Sequence, residues 1–120
     1  MIKEILIPVP SGVVTDIDGN QDKCTHIKCT LGYEIGGYSC FTGEANRRGY
    51  YLYVRAVNRK DYGEGLVSES YALLHGRKEL LVECGRRSAK KEAEAIGKFE
   101  QCYARLITSV FPEVALTAVA

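Results

Sequence analysis

Residues 88–110 read SAKKEAEAIGKFEQCYARLITSV, and within them Ile96, Phe99, Tyr103, Leu106 and Val110 recur at intervals of 3, 4, 3 and 4. That spacing is the period of one face of an α-helix. Lys91, Glu94, Lys98, Gln101 and Arg105 take the opposite face, and Glu94 precedes Lys98 by the four positions that favour an ion pair. Ser88 is suited to cap the first turn, and Pro112 stops the run. Upstream the period changes to two. From Thr25 to Ile35, the residues Ile27, Cys29, Leu31, Tyr33 and Ile35 share one face, while His26, Lys28, Thr30 and Glu34 share the other. That alternation predicts a half-buried strand. Strands followed by one long helix give an α+β fold: an antiparallel sheet of about five to six strands, packed on one face by a long C-terminal helix. The other face of the sheet is then left for solvent or a partner.

Working outward, Tyr50 to Val57 forms a second strand rich in aromatic and β-branched residues. Ile5-Leu6-Ile7 is a short strand stopped by Pro8 and Pro10. Asp18-Gly19 and Gly36-Gly37 read as turns, the second leading into Tyr38-Ser39-Cys40-Phe41. Beyond the loop Tyr62-Gly63-Glu64-Gly65, the segments Tyr71 to Leu74 and Glu79 to Cys84 read as a hairpin turning at His75-Gly76.

The 120 residues are 46% hydrophobic and 26% charged, which suits one globular domain spanning 1–120. At this length folding buries roughly two-thirds of the chain's surface, enough for a core without covalent staples. Collagenous, coiled-coil and membrane-spanning classes are excluded, and the apolar tail from Val114 to Ala120 is too short to span a bilayer. Five cysteines (Cys24, Cys29, Cys40, Cys84, Cys102) cannot all pair within one chain. No export signal is read at the start, so the expected setting is cytoplasmic, with reduced thiols.

The formal charge of +1 conceals a strong polarisation. Residues 47–60 carry Arg47, Arg48, Arg55, Arg59 and Lys60 with no acid, a local +5. Residues 77–91 carry a local +4, which leaves −8 on the remainder. If the two segments meet on one face, they form a surface suited to phosphate or to an acidic partner. Alternation along 50–57 sets Tyr50, Leu52, Val54 and Ala56 towards the core and Tyr51, Tyr53 and Arg55 away from it. Aromatic rings and guanidinium groups on an open sheet can stack unpaired bases and neutralise phosphates. Tyrosines are also good strand formers, and arginines keep a sheet edge soluble.

Three resemblances bear on this surface. Arg48-Gly49-Tyr50-Tyr51-Leu52-Tyr53 resembles the aromatic strand signature of RNA-recognition motifs at the basic residue, the glycine and the first aromatic. The later aromatic positions are out of register, and that fold needs two helices where one is read here. Residues 81–93, which include Arg86, Arg87, Lys90 and Lys91, resemble the carboxyl-terminal part of double-stranded-RNA-binding domains, where a helix amino terminus meets phosphates. That family's first helix has no counterpart here. The whole chain resembles small uncharacterised bacterial proteins associated with mobile elements, through Gly19-Asn20-Gln21-Asp22, the segment Cys24 to Cys29 and Arg48-Gly49-Tyr50-Tyr51-Leu52. That resemblance implies no activity.

Other chemistries fit less well. Cys24 and Cys29 are five positions apart and point to opposite faces on a continuous strand, so no zinc site is expected. Asp16, Asp18, Asn20 and Asp22 alternate like a calcium loop, but Gly19 is misplaced and Ile27 stands where the bidentate Glu belongs. Ser88-Ala89-Lys90-Lys91 matches a Ser-x-x-Lys pattern without its companion motifs. The expectation is a non-enzymatic domain with no cofactor or metal, binding nucleic acid, single-stranded by this reading. Arg47, Arg48 and Arg55 would contact phosphates, Tyr51 and Tyr53 would stack bases, and Arg86, Arg87, Lys90 and Lys91 would widen the footprint. The alternative is an interaction or assembly module that docks an acidic protein on the same face. A homodimer is compatible with the pairable edges of an open sheet, and no membrane contact is expected.

Overall fold

The structure, a computed structural model, describes residues 1–35, 37, 38, 45–74 and 76–114. The strands are β1 (Lys3–Pro8), β2 (Val13–Thr15), β3 (Gln21–Lys23), β4 (His26–Glu34), β5 (Gly37–Tyr38), β6 (Ala45–Asn46), β7 (Gly49–Gly63), β8 (Leu66–Tyr71) and β9 (Arg77–Glu83), and one helix, α1 (Ala89–Val110), follows. β1, β4 and β7 are successive antiparallel neighbours. β9 pairs with the first half of β7 and β8 with its second half. Because Val57 pairs both with His26 of β4 and with Tyr71 of β8, β8 and β9 lie along the same edge of β7. β2 and β3 form a separate small hairpin, and β5 pairs with β6. The α+β architecture expected from the change of period is therefore present, with five strands in the main sheet among the described residues.

Alternation sends Ile27, Cys29 and Leu31 of β4 and Tyr50, Leu52 and Val54 of β7 to one face, where all are fully buried. α1 covers that face with Phe99, Leu106 and Ile107. The cap at its start is the one the sequence indicates: Ser88 accepts a hydrogen bond from the Lys91 N–H, and its own N–H donates to the Tyr50 hydroxyl. Ion pairs join the helix to both flanks of the sheet, Lys3 with Glu100 on β1's side and Arg105 with Glu79 on β9's.

Two expectations are corrected. The strand after the glycine loop is Leu66–Tyr71, and its hairpin partner is β7 through a turn at Gly63, Glu64 and Gly65, all with positive φ. Tyr71 to Leu74 does not pair with β9, because β7 is long enough to serve both strands; His75 lies outside the described residues. Cys24 and Cys29 do not face opposite ways. Cys24 precedes the first residue of β4, so strand alternation does not reach it, and both thiols are buried in the same core. Of the expected Gly36-Gly37 hairpin, Gly36 and residues 39–44 lie outside the described residues. Among the described residues, no helix is long and apolar enough to cross a membrane.

Candidate functional site

Opposite the helix, the second face of the sheet carries Tyr51, Tyr53, Arg55 and Val57 of β7. Beside them stand Lys28, Thr30, Gly32 and Glu34 of β4, and Leu80 and Lys78 of β9. The pairing of β7 with β8 and β9 explains the shape of this face. Between Val57 and Val54 β7 advances three residues, while its partner runs from Tyr71 to Arg77. The extra residues loop out and interrupt the edge. A groove of about 550 Å³ opens there, lined by Glu34, Tyr53, Arg55, Tyr71, Leu74 and Lys78 among others. A second hollow of about 320 Å³ continues across Thr30 and Gly32 and shares Tyr53, Arg55 and Tyr71 with the first. Small side chains on β4 opposite large tyrosines on β7 leave that space.

Arg55 is the centre of the trough. Its guanidinium carbon lies 4.7 Å from the Tyr71 ring centroid and 5.7 Å from that of Tyr53, within cation–π range. Arg77 also lines the groove but donates to the Ser109 hydroxyl, and the cations that alternation places beside Arg55 are paired with carboxylates. Lys78 pairs with Glu34 at 2.7 Å. Lys28 pairs with Glu69 at 2.6 Å and Arg59 pairs with the same carboxylate at 3.2 Å. The Lys28–Glu69 pair crosses β7 above Val57, which is why a residue on this face is fully buried. That bond holds Glu69 below the usual carboxylate range and lifts Lys28 above its ordinary value. Among the described residues, Arg55 has no carboxylate within ion-pair distance.

The residues named from the sequence divide sharply. Tyr53 and Arg55 lie in the trough, and Tyr53 donates its hydroxyl to Glu34. Tyr51 does not offer a stacking surface, which corrects that expectation. Only 5% of it is exposed, the Lys78 ammonium stands 4.4 Å from its ring centroid, and its hydroxyl donates to the Arg47 carbonyl. Arg48 is tied to the backbone, with Nε donating to the Ile35 carbonyl at 2.8 Å and a terminal nitrogen to that of Gly85 at 3.2 Å. Arg47 pairs with Glu83, Arg87 with Glu92 and Lys91 with Glu94. Arg86 and Lys90 are exposed beside the helix start, away from the trough. The two basic segments do meet, because β7 pairs with β9. Alternation then splits them between two faces: Arg77 reaches Ser109 on the helix side and Lys78 the trough.

Tyr71 is the aromatic trough residue that the sequence reading did not name as a site, as it did not name Glu34 or Lys78. Tyr71 is 59% exposed and lies opposite Val57, a placement visible only once β8 is paired with β7. On the acidic side, Asp16 accepts from the N–H groups of Asp18 at 3.0 Å and Asn20 at 2.9 Å, which builds a turn rather than a cation loop. Asp22 accepts from the Leu73 N–H, and that bond, with a second from Lys23, draws its carboxyl below the ordinary value. Among the described residues, no three His, Cys, Asp or Glu side chains converge to hold a metal. No family model, curated protein or solved structure matches the chain.

Proposed function

We propose that the protein is a non-catalytic, cytoplasmic binding domain for single-stranded nucleic acid, with the trough around Arg55 as its site. The observation that carries this reading is the trough itself: a guanidinium with no carboxylate partner among the described residues, held between two tyrosine rings in a concave, solvent-open surface. A phosphate reaches Arg55 without displacing a carboxylate of the described residues, and the exposed Tyr71 ring offers a base a stacking surface. The footprint is narrow. With Arg55 as the cation engaged, the slope of log K against log salt is about −0.7, against about −5 if all seven cations named from the sequence took part. An acidic protein partner would use the same cation without needing the tyrosine.

The experiment is fluorescence anisotropy with a labelled oligonucleotide, and separately with an acidic peptide, at two salt concentrations. Tyr71→Ala leaves every charge in place and should weaken single-strand binding by about 1–3 kcal/mol for each base stacked. Arg55→Gln should weaken it and flatten the salt slope by about 0.7. Tyr51→Phe, which alters a buried hydroxyl, should change neither. No oligonucleotide binding at low salt, or binding indifferent to Tyr71→Ala and Arg55→Gln in folded variants, refutes the reading. Peptide binding that needs Arg55 but not Tyr71 replaces it with the acidic-partner role.

A further inference from the structure

We infer that β8 is a homodimerisation edge, pairing antiparallel with β8 of a second copy about a two-fold axis at Glu69. Beyond Val57 neither β4 nor β9 continues, so residues 58–71 form a two-stranded ribbon. Such ribbons are marginal in water on their own. All six residues of β8 are exposed, Leu66 by 64% and Val67 by 42%. The Ala72 N–H donates to the Ala56 carbonyl, so along this edge the even-numbered residues turn their backbone groups towards β7. Val67, Glu69 and Tyr71 therefore point their N–H and C=O groups outward, with no partner among the described residues.

The other edges of the sheet are defended. β1 carries Lys3 and Glu4 and ends at Pro8, and β9 carries Arg77, Lys78, Glu79 and Glu83. β8 has one charge, Glu69, and Lys28 and Arg59 already compensate it. The occupant follows from the strand's sequence. Val67-Ser68-Glu69-Ser70-Tyr71 reads apolar, Ser, Glu, Ser, apolar in both directions. With Glu69 on the axis, Val67 faces Tyr71 of the second copy and Ser68 faces Ser70. Glu69 meets its own image with both charges compensated. Outward groups on three residues per strand then make about six intermolecular main-chain hydrogen bonds. The pairing is isologous and closes at two. It stands independently of the ligand reading, although it would bring two Tyr71 rings onto one continuous sheet face.

Sedimentation equilibrium should give a mass approaching twice the 13.3 kDa of one chain as concentration rises. Val67→Pro removes an outward donor and no bond to β7, so it should sediment as a monomer with an unchanged circular dichroism spectrum. If that variant misfolds, cysteine cross-linking decides. Ser68→Cys and Ser70→Cys chains should form a disulfide-linked dimer when mixed and oxidised, and neither should do so alone, because this register opposes 68 only to 70. Wild-type protein treated identically controls for native thiols. A chain that stays monomeric at all concentrations overturns the inference. So does a dimer that survives Val67→Pro, or a mixture that cross-links no better than the separate variants.

Discussion

Replacing Gly49 with alanine tests the seam between β7 and β9, on which the trough depends. A methyl group there would lie 2.2 Å from the Val82 carbonyl oxygen and 3.0 Å from the Glu83 Cα. Carbon and oxygen settle at about 3.3 Å, so the strands must part by about 1 Å. The neighbouring bond from the Cys84 N–H to the Arg48 carbonyl, now 3.1 Å, would then exceed hydrogen-bonding length. Overpacking of about 1–3 kcal/mol and one or two lost ladder bonds at about 1 kcal/mol each bring the cost to about 2–5 kcal/mol. Two other glycines calibrate it. Gly63 has φ +85 and no atom within 4 Å of a new methyl, so Gly63→Ala carries only the left-handed backbone penalty, about 1–2 kcal/mol. Gly32 has open space and no positive φ, so Gly32→Ala should be neutral or stabilising by up to about 1 kcal/mol. Urea denaturation of the three variants gives the ranking. Were Gly49→Ala to cost no more than Gly63→Ala, the close approach of the two strands would be wrong.

The core, the acid limit and the thiols yield three more expectations. Phe99→Ala should cost about 3–5 kcal/mol in urea, since the ring is fully buried, whereas Arg105→Ala, at an exposed ion pair, should cost under about 1 kcal/mol; equal losses would mean that the helix is rotated. The Asp22 and Glu69 carboxyls are both depressed in the folded state. Their stabilisation is complete above their unfolded values and is lost as pH falls through the folded ones, so unfolding curves should weaken below about pH 4; an Asp22→Asn, Glu69→Gln variant with an undiminished acid slope would contradict this. Burial pushes the Cys29 thiol up to about 12 and raises that of Cys24. A thiol reagent at neutral pH should therefore label the half-buried Cys84 and Cys102 before Cys24 and Cys29, and Cys29 labelled at an equal rate would show that the core is open.

Local periodicity carried much of the fold. The 3–4 spacing from Ile96 to Val110 fixes the buried face of α1, and the alternation in 25–34 and 50–57 sorts the two faces of β4 and β7, because each pattern is set by geometry within one element. Ile35 continues that alternation on paper but is exposed, since β4 ends at Glu34 before the core does. The hairpin partner of 66–71 was not legible, because pairing depends on how far β7 continues past Val57 and no periodicity records that. The same limit applies to the site. Arg55 could be placed on the outer face by counting residues. That Lys78 would cover Tyr51 while Tyr71 stayed open depends on a register shift between distant strands.

Charge makes the point physically. The segments at +5 and +4 suggest a broad basic field, yet the acids that balance them are brought in by topology. Glu69 from β8 meets Arg59, Glu83 from β9 meets Arg47, Glu34 from β4 meets Lys78, and Glu92 meets Arg87. Exposed pairs of this kind add little stability each, but they decide which cations an incoming anion must compete for. At a paired lysine or arginine, a phosphate has to replace a carboxylate already in place, and the net electrostatic gain is small. Among the described residues no carboxylate competes for Arg55, and the two flanking rings already hold the guanidinium in place, so less side-chain entropy is lost on binding. Affinity on this face should therefore concentrate at one residue out of a long basic stretch, and that residue is marked by its place between two rings in the trough with no carboxylate partner among the described residues, rather than by its neighbours in sequence.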